Sequence, residues 1–357
     1  MLNSVIDMTT TNHIAQPTIA LYGANGHTGG YVLAELNRRG LTPILVGRNA
    51  ERLRAAADRA GLPRAEIRIA DVTDDAALVR AFTGADVVIS SLPAYVDLGE
   101  PVLAAAIEAG AHYTDMAGEQ LFLKKVFDAY GTRAESAGVT VVSGITDSNL
   151  PGDLLGYLTA RRVNRPAEMV ISHLSRSGGN GSRGSAKTVL ASLDWFSSGG
   201  WHYEHGEFRT GPGRTTEMTF PGDPAPTEVA KFPQPPVLTI PRHSEVSYVA
   251  GALDTGILSL LSGFTYEALD SMPDEPSSDL RYDLVVDAIG ADGEGVRGVV
   301  SGVDSYRDSA LMAVEVAARL ADGEAKSGAL AVAEAFDAED MLNSLERHGI
   351  TWRIETY

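Results

Sequence analysis

An apolar tetrad, Ile19 to Tyr22, runs straight into three glycines spaced GxxGxxG, Gly23, Gly26 and Gly29, and then into a helical pattern. Such a turn brings backbone N–H groups and a helix dipole to one point, which favours a phosphate. The spacing departs from GxGxxG, and a glycine turn also serves as a plain strand–helix junction in α/β proteins. The residues downstream of the turn therefore decide between the two. With Asn25, His27 and Thr28 between the glycines, the turn is a candidate cofactor loop.

The next elements repeat the alternation. Tyr31 to Arg39 reads as a helix stopped by Gly40, and Pro43 to Val46 as a strand ending in Gly47-Arg48-Asn49. In a dinucleotide fold an acid at that strand end accepts from the ribose hydroxyls of NAD. Arg48 stands there instead, a planar cation suited to a 2′-phosphate, so NADPH is the expected cofactor. The competing reading is a solvated arginine ahead of helix Ala50 to Ala60. Strand Glu66 to Ala70 leads to Asp71, placed to accept from the adenine amino group or to cap a helix. Strand Ala85 to Ser90 ends in Ser91-Leu92-Pro93, expected on the nicotinamide side with Tyr95. Helices Val102 to Ala109 and Leu121 to Ala137 and strand Val139 to Ser143 extend the series. Six alternations imply an α/β fold with a Rossmann-type doubly wound parallel sheet.

At 357 residues there is room for a second domain. The net charge of −18 disfavours nucleic acid and anionic membranes. The absence of cysteine excludes disulfides, thiolate metal sites and thiol nucleophiles. No HExxH occurs, and His202 and His205 read as incidental surface histidines, so no metal is expected. Met1 to Pro17 is polar and aperiodic, a loose tail, and no long apolar run suggests a membrane span; a cytoplasmic protein is expected.

Past Pro151 the alternation weakens. Strand Met169 to Leu174 feeds a glycine-rich loop, Ser175 to Ser185, and a helix, Ala186 to Phe196, with Ser185 as N-cap. His173, Arg176, Arg183 and Lys187 form a candidate clamp for the carboxylate or phosphate of a small-molecule substrate; ordinary cations on a surface loop are the alternative. Residues 199–241 read as loops and extended segments, a candidate lid. Strands Asp279 to Ala288 and Glu294 to Val303 flank Gly290-Ala291-Asp292-Gly293, a hairpin signal for a mainly antiparallel sheet and a homodimer face. Helices Ser305 to Leu320 and Ala338 to His348 precede a C-terminal tail.

The segments YGANGHTGGYVLAEL, LVGRNAERL, YTDMAGE, SGITDSNLPGDLLG and SALMAVEVAARLADGEAKSGALAVAEAF make the chain similar to the saccharopine dehydrogenase-like oxidoreductases, which include trans-acting enoyl reductases. The resemblance implies a Rossmann domain over 18–150, an inserted α+β substrate domain over 151–303, and C-terminal helices over 304–357 returning to the first domain. It also carries Gly23, Gly26, Gly29 and Arg48 over as cofactor residues. It supplies no substrate.

Hydride transfer from NADPH to a C=N, C=O or conjugated C=C bond is the expected chemistry, with the protein supplying orientation and a proton. The chain lacks YxxxK, so the tyrosine–lysine device of short-chain dehydrogenases is not expected. Tyr95, Tyr113, Asp115, Asp147, His173 and Lys187 are the candidate proton donors. An anionic imine or carbonyl ranks ahead of an enoyl substrate because the loop is cationic. A non-catalytic NADP-binding sensor is the reading from another class.

Overall fold

The computed structural model describes residues 16–176, 181–272 and 281–357. Most of the expected N-terminal tail, Ser177 to Asn180 of the glycine-rich loop, and residues 279 and 280 of the expected strand lie outside the described residues.

The N-terminal half builds a parallel sheet from β1 (Ile19–Tyr22), β2 (Ile44–Gly47), β3 (Ile67–Ile69), β4 (Val87–Ser90), β5 (His112–Asp115) and β6 (Thr140–Val142). A second sheet takes β7 (Ala167–Ser175), β8 (His202–Glu204), β9 (Glu207–Arg209), β10 (Glu217–Met218), β11 (Thr227–Lys231), β12 (Val246–Asp254), β13 (Tyr282–Ile289) and β14 (Gly295–Gly302). The C-terminus then serves both, because β15 (Gly328–Ala329) joins the first sheet and β16 (Thr351–Thr356) the second.

The first sheet has the order β15-β6-β5-β4-β1-β2-β3, all parallel. The strand order reverses between β1 and β4, which opens the crevice where nucleotides bind in doubly wound folds. Strands β1, β2 and β4 are apolar and wholly buried, as a sheet covered on both faces requires. In the second sheet, β10-β11-β12-β7-β13-β14-β16, with β8 on β12 and β9 on β8, the pair β7 and β12 is parallel and the other described pairs are antiparallel.

Several elements differ from the sequence expectation. Residues expected as a loop around Pro151 form a helix, Asn149–Ala160, because proline in a first turn loses no intrahelical hydrogen bond. Tyr95 belongs to a helix, Tyr95–Glu108, and not to the loop before it. The helix expected from Ala186 starts at Arg183, capped by Ser182, whose hydroxyl accepts from the Ser185 N–H at 3.0 Å. The expected C-terminal tail is strand β16, hydrogen-bonded to β14. Helix Ser305–Ala321 packs on helix His27–Arg38, where Glu35 and Glu315 bracket Arg39 at 2.7 and 2.9 Å.

Candidate functional site

The carboxyl ends of the parallel strands place the candidate residues along one edge. Gly23 leaves β1 with φ +88°, a conformation costly for any side chain, and its carbonyl accepts from the Gly26 N–H at 3.0 Å. Helix His27–Arg38 comes next, with Gly26 at its N-cap and no capping side chain, so its first N–H groups keep donor capacity for an anion. Arg48, at the end of β2, is exposed and makes no hydrogen bond or ion pair among the described residues. Asp71 closes a turn by accepting from the N–H and hydroxyl of Thr73 at 3.0 and 2.8 Å. Those bonds, with a smaller contribution from the Arg48 charge, hold its carboxyl below the ordinary range. The helix cap expected of Asp71 is supplied by Asp74. These groups fit a nucleotide phosphate: a side-chain-free helix start faces the crevice, and an unengaged cation stands one strand away.

Ser91, Leu92 and Pro93 leave β4 beside the glycine turn, the Ser91 N–H donating to Tyr22 O at 2.9 Å. Helix Arg183–Ala191 lies across them. Thr188 Oγ1 accepts from the Ala94 N–H at 3.0 Å, and Gly184 stands against Pro93. Tyr306 ties the start of that helix to the glycine turn. Its hydroxyl accepts from the Ser182 N–H at 2.5 Å, and its ring lies edge-on to His27 at 4.8 Å. Second-domain residues thus border the crevice of the first.

After β6 the chain turns through Gly144 to Asp147. Asp147 is 8% exposed, and its Oδ2 meets His173 Nε2 at 2.9 Å and accepts from Ser305 Oγ at 2.5 Å. The His173 ring stacks on Tyr282, with centroids 5.4 Å apart and planes at 19°. The Tyr282 hydroxyl donates to Asp308, which burial pushes up to about 6 against the opposing charge of Arg307. Asp147 and His173, 26 residues apart, are therefore joined, with Ser305, Tyr282 and Asp308 added from distant segments. Ser305 and Ser309 share one face of their helix by their i, i+4 spacing, the one sequence signal that marks them.

Other candidates have different work. Tyr95 is 2% exposed; its hydroxyl donates to Ser90 O at 2.7 Å and accepts from the Leu92 N–H at 3.1 Å. Burial raises its pKa far, so it braces the strand-end loop and is a poor proton donor. Tyr113 is wholly buried within β5, its pKa also raised by burial, and is excluded on the same ground. Asp115 is sealed too, accepting from Ser143 Oγ at 2.7 Å and from the N–H groups of Ala117 and Gly144 at 2.9 and 2.8 Å. Arg176 does not form a clamp: its guanidinium pairs with Asp283 and Asp223 at 2.6 Å each, tying the end of β7 to β13 and to the turn between β10 and β11. Arg183 Nη2 donates to Met272 O at 2.8 Å, and Lys187 is exposed on the helix.

Glu119, the last residue of the YTDMAGE segment and not among the expected site residues, fixes the loop from behind. It is 1% exposed and accepts from the N–H groups of Tyr95 at 2.7 Å and Gly118 at 2.8 Å. Burial raises its carboxyl to about 7 despite those bonds. The folded chain therefore holds this proton more tightly than the unfolded one, so the contribution is full below about pH 4.5 and falls as pH rises towards about 7. Glu119→Gln is expected to flatten a slope on the order of 1 to 3 kcal/mol between about pH 5 and about pH 8, read from denaturation midpoints. An unchanged slope would assign the effect elsewhere.

Residues 19–142 match the family model described as the saccharopine dehydrogenase NADP binding domain. That match spans the parallel strands β1 to β6 and includes the glycine turn and Arg48. A trans-acting enoyl reductase of Mycobacterium ulcerans (strain Agy99) is 32% identical over 149 residues, 41% of this chain and 36% of its own length. A saccharopine dehydrogenase-like oxidoreductase of Bos taurus is 29% identical over 177 residues, 45% of this chain and 41% of its own. The matches thus span well under half of these relatives. The solved structure of saccharopine dehydrogenase (L-Glu forming) from Saccharomyces cerevisiae superimposes with a TM-score of 0.63 at 15% identity, covering 96% of this chain and all of that one. Its likeness extends the shared fold beyond the NADP-binding domain. Among the described residues no helix is long and apolar enough to cross a membrane.

Proposed function

We propose that the chain is an NADPH-dependent reductase of a C=O or C=N bond in a small-molecule substrate. What supports this reading is a glycine turn within the NADP-binding match, the loop Ser91 to Pro93 beside it, and a His–Asp pair contributed jointly by two domains and linked to the turn through helix Ser305–Ala321, whose Ser305 meets Asp147 and whose Tyr306 meets His27. A non-catalytic NADP-binding sensor requires the first of these but not the last. The glycine turn and Arg48 hold the cofactor, which supplies hydride when bound. The protein's own groups orient the acceptor, exclude water beneath helix Arg183–Ala191, and manage one proton.

Support for an anionic substrate is reduced to Lys187 once Arg176 and Arg183 are engaged. A second reading, reduction of a C=C bond in an apolar acyl substrate, is favoured by helix Thr255–Ser262. That helix has no charged residue and none buried, exposes Leu260 at 74%, and packs on helix Leu193–Ser197, which follows helix Arg183–Ala191. The mycobacterial relative named an enoyl reductase is consistent with it.

Fluorescence titration and absorbance at the reduced-nicotinamide band test the reading. NADPH is expected to bind and to be consumed on addition of an aldehyde, imine or enone. Binding without turnover across all three would favour the sensor. Arg48→Ala is expected to weaken NADPH by about 10- to 100-fold, the worth of a charge-assisted hydrogen-bond pair, and to leave NADH nearly unchanged. Equal losses for the two cofactors would remove Arg48 from the 2′-phosphate.

A further inference from the structure

We propose that His173 is the proton donor of this site and that Asp147, with Ser305, is its positioning pair; the proposal rests on the reductase reading above. Three observations converge on the imidazole. Its Nε2 is held by a nearly buried carboxylate at 2.9 Å. Its ring plane is fixed by stacking on Tyr282. Its Nδ1 has no hydrogen-bond partner among the described residues, while the side chain keeps 20% exposure. A carboxylate on one nitrogen sets tautomer and orientation and leaves the other for chemistry. Asp147 is itself constrained by helix Ser305–Ala321, because Ser305 Oγ donates to the same oxygen and the Asp147 N–H donates to Ser309 Oγ at 2.9 Å.

The remaining candidates do not meet these conditions. Tyr95, Tyr113 and Asp115 are sealed in the fold, and Lys187 is exposed on its helix with no hydrogen bond or ion pair among the described residues. His173 reaches the crevice because β7 ends beside the Gly144 to Asp147 turn, at the edge where β6 delivers its loop. In the reaction, hydride adds to the acceptor carbon, and the π pair of the C=O or C=N bond moves to its heteroatom. That atom takes the proton from Nδ1 of the imidazolium. The neutral imidazole keeps its Nε2–H on Asp147 and recovers the Nδ1 proton from solvent through its exposed edge. The charged groups around it are Asp147 from the β6 turn and, behind Tyr282, Asp308 and Arg307 from helix Ser305–Ala321.

The test uses the full chain with histidine labelled for NMR, and NADP+ and NADPH as probes. The resonance missing from His173→Gln identifies His173. It is expected to move on cofactor saturation, and further with NADP+ than with NADPH, because only the oxidised ring carries charge. With any aldehyde or imine the wild type turns over, His173→Gln is expected to lose about 100-fold or more in kcat with NADPH affinity within about twofold. Ser305→Ala, which leaves the imidazole in place, is expected to move the pH profile of kcat more than its maximum. His173→Asn, checked by its melting curve, replaces the glutamine variant if that one does not fold. A His173 resonance indifferent to both cofactors, or a variant with wild-type kcat and pH profile, would overturn the assignment while leaving the reductase intact. If no probe is turned over, the cofactor titration alone decides. Failure of the wild type to bind NADPH would instead overturn the reading on which the assignment rests.

Discussion

Gly23→Ala is expected to abolish NADPH binding and to destabilise the fold by roughly 2 to 6 kcal/mol, through two costs that add at one atom. The first is conformational: with φ at +88°, an alanine there carries strain of about 1 to 3 kcal/mol. The second is steric. A Cβ on Gly23 would sit 2.3 Å from the carbonyl oxygen of Ser91, a backbone atom at the end of β4 that cannot rotate away. Relief requires β1 and β4 to part at the reversal of strand order, where the cofactor is expected. Gly30→Ala is the control. It lies in the same helix-forming segment, has nothing within 4 Å of its would-be Cβ, and is expected to be neutral or to stabilise by about 0.5 to 1 kcal/mol. Denaturant midpoints and NADPH fluorescence on the two variants check the pair. A Gly23→Ala protein that binds NADPH normally would show that the turn does not define the site.

That contrast also marks where the sequence is legible. The glycine turn, the apolar strands and Arg48 are neighbours in the chain, so local pattern and spacing suffice to place them. The Rossmann order comes from the alternation of elements. Tyr95 is misplaced by a local reading because its position one step beyond a strand-end loop invites a ligand role, whereas it opens a helix and folds its hydroxyl back to Ser90. Arg176 reads as a free cation because its partners, Asp223 and Asp283, lie 47 and 107 residues away. The same distance hides Ser305 and Tyr282 from any local reading. The C-terminus is the sharpest case. Two residues, Gly328 and Ala329, complete the first sheet, and Thr351 to Thr356 the second, and neither segment carries a periodicity long enough to separate it from a loop.

Asp153→Ala is expected to cost about 3 to 5 kcal/mol, because one buried carboxylate joins three helices. Asp153, in helix Asn149–Ala160, is 2% exposed. Its Oδ1 meets Nε2 of His243, itself 6% exposed, at 2.8 Å, and its Oδ2 accepts from the Ala333 N–H at 2.9 Å. Alanine would leave that imidazole nitrogen and that amide buried without acceptors. Burial by itself would raise the Asp153 carboxyl, but the His243 charge and hydrogen bond, with Thr239 and the Ala333 N–H, outweigh it and hold the group below its usual 3.8. A depressed folded value means that the unfolded chain binds the proton more readily. The stabilisation is therefore full above about pH 3.8 and is lost as pH falls below it. The wild-type advantage over Asp153→Ala should shrink on acidification, opposite in sense to the Glu119 slope. The double variant Asp153→Leu, His243→Phe should recover only the part of the loss that comes from the imidazole, since the Ala333 N–H still lacks its acceptor. A single variant within about 1 kcal/mol of wild type, on the scale of an exposed ion pair, would mean that the three helices are held by apolar packing alone.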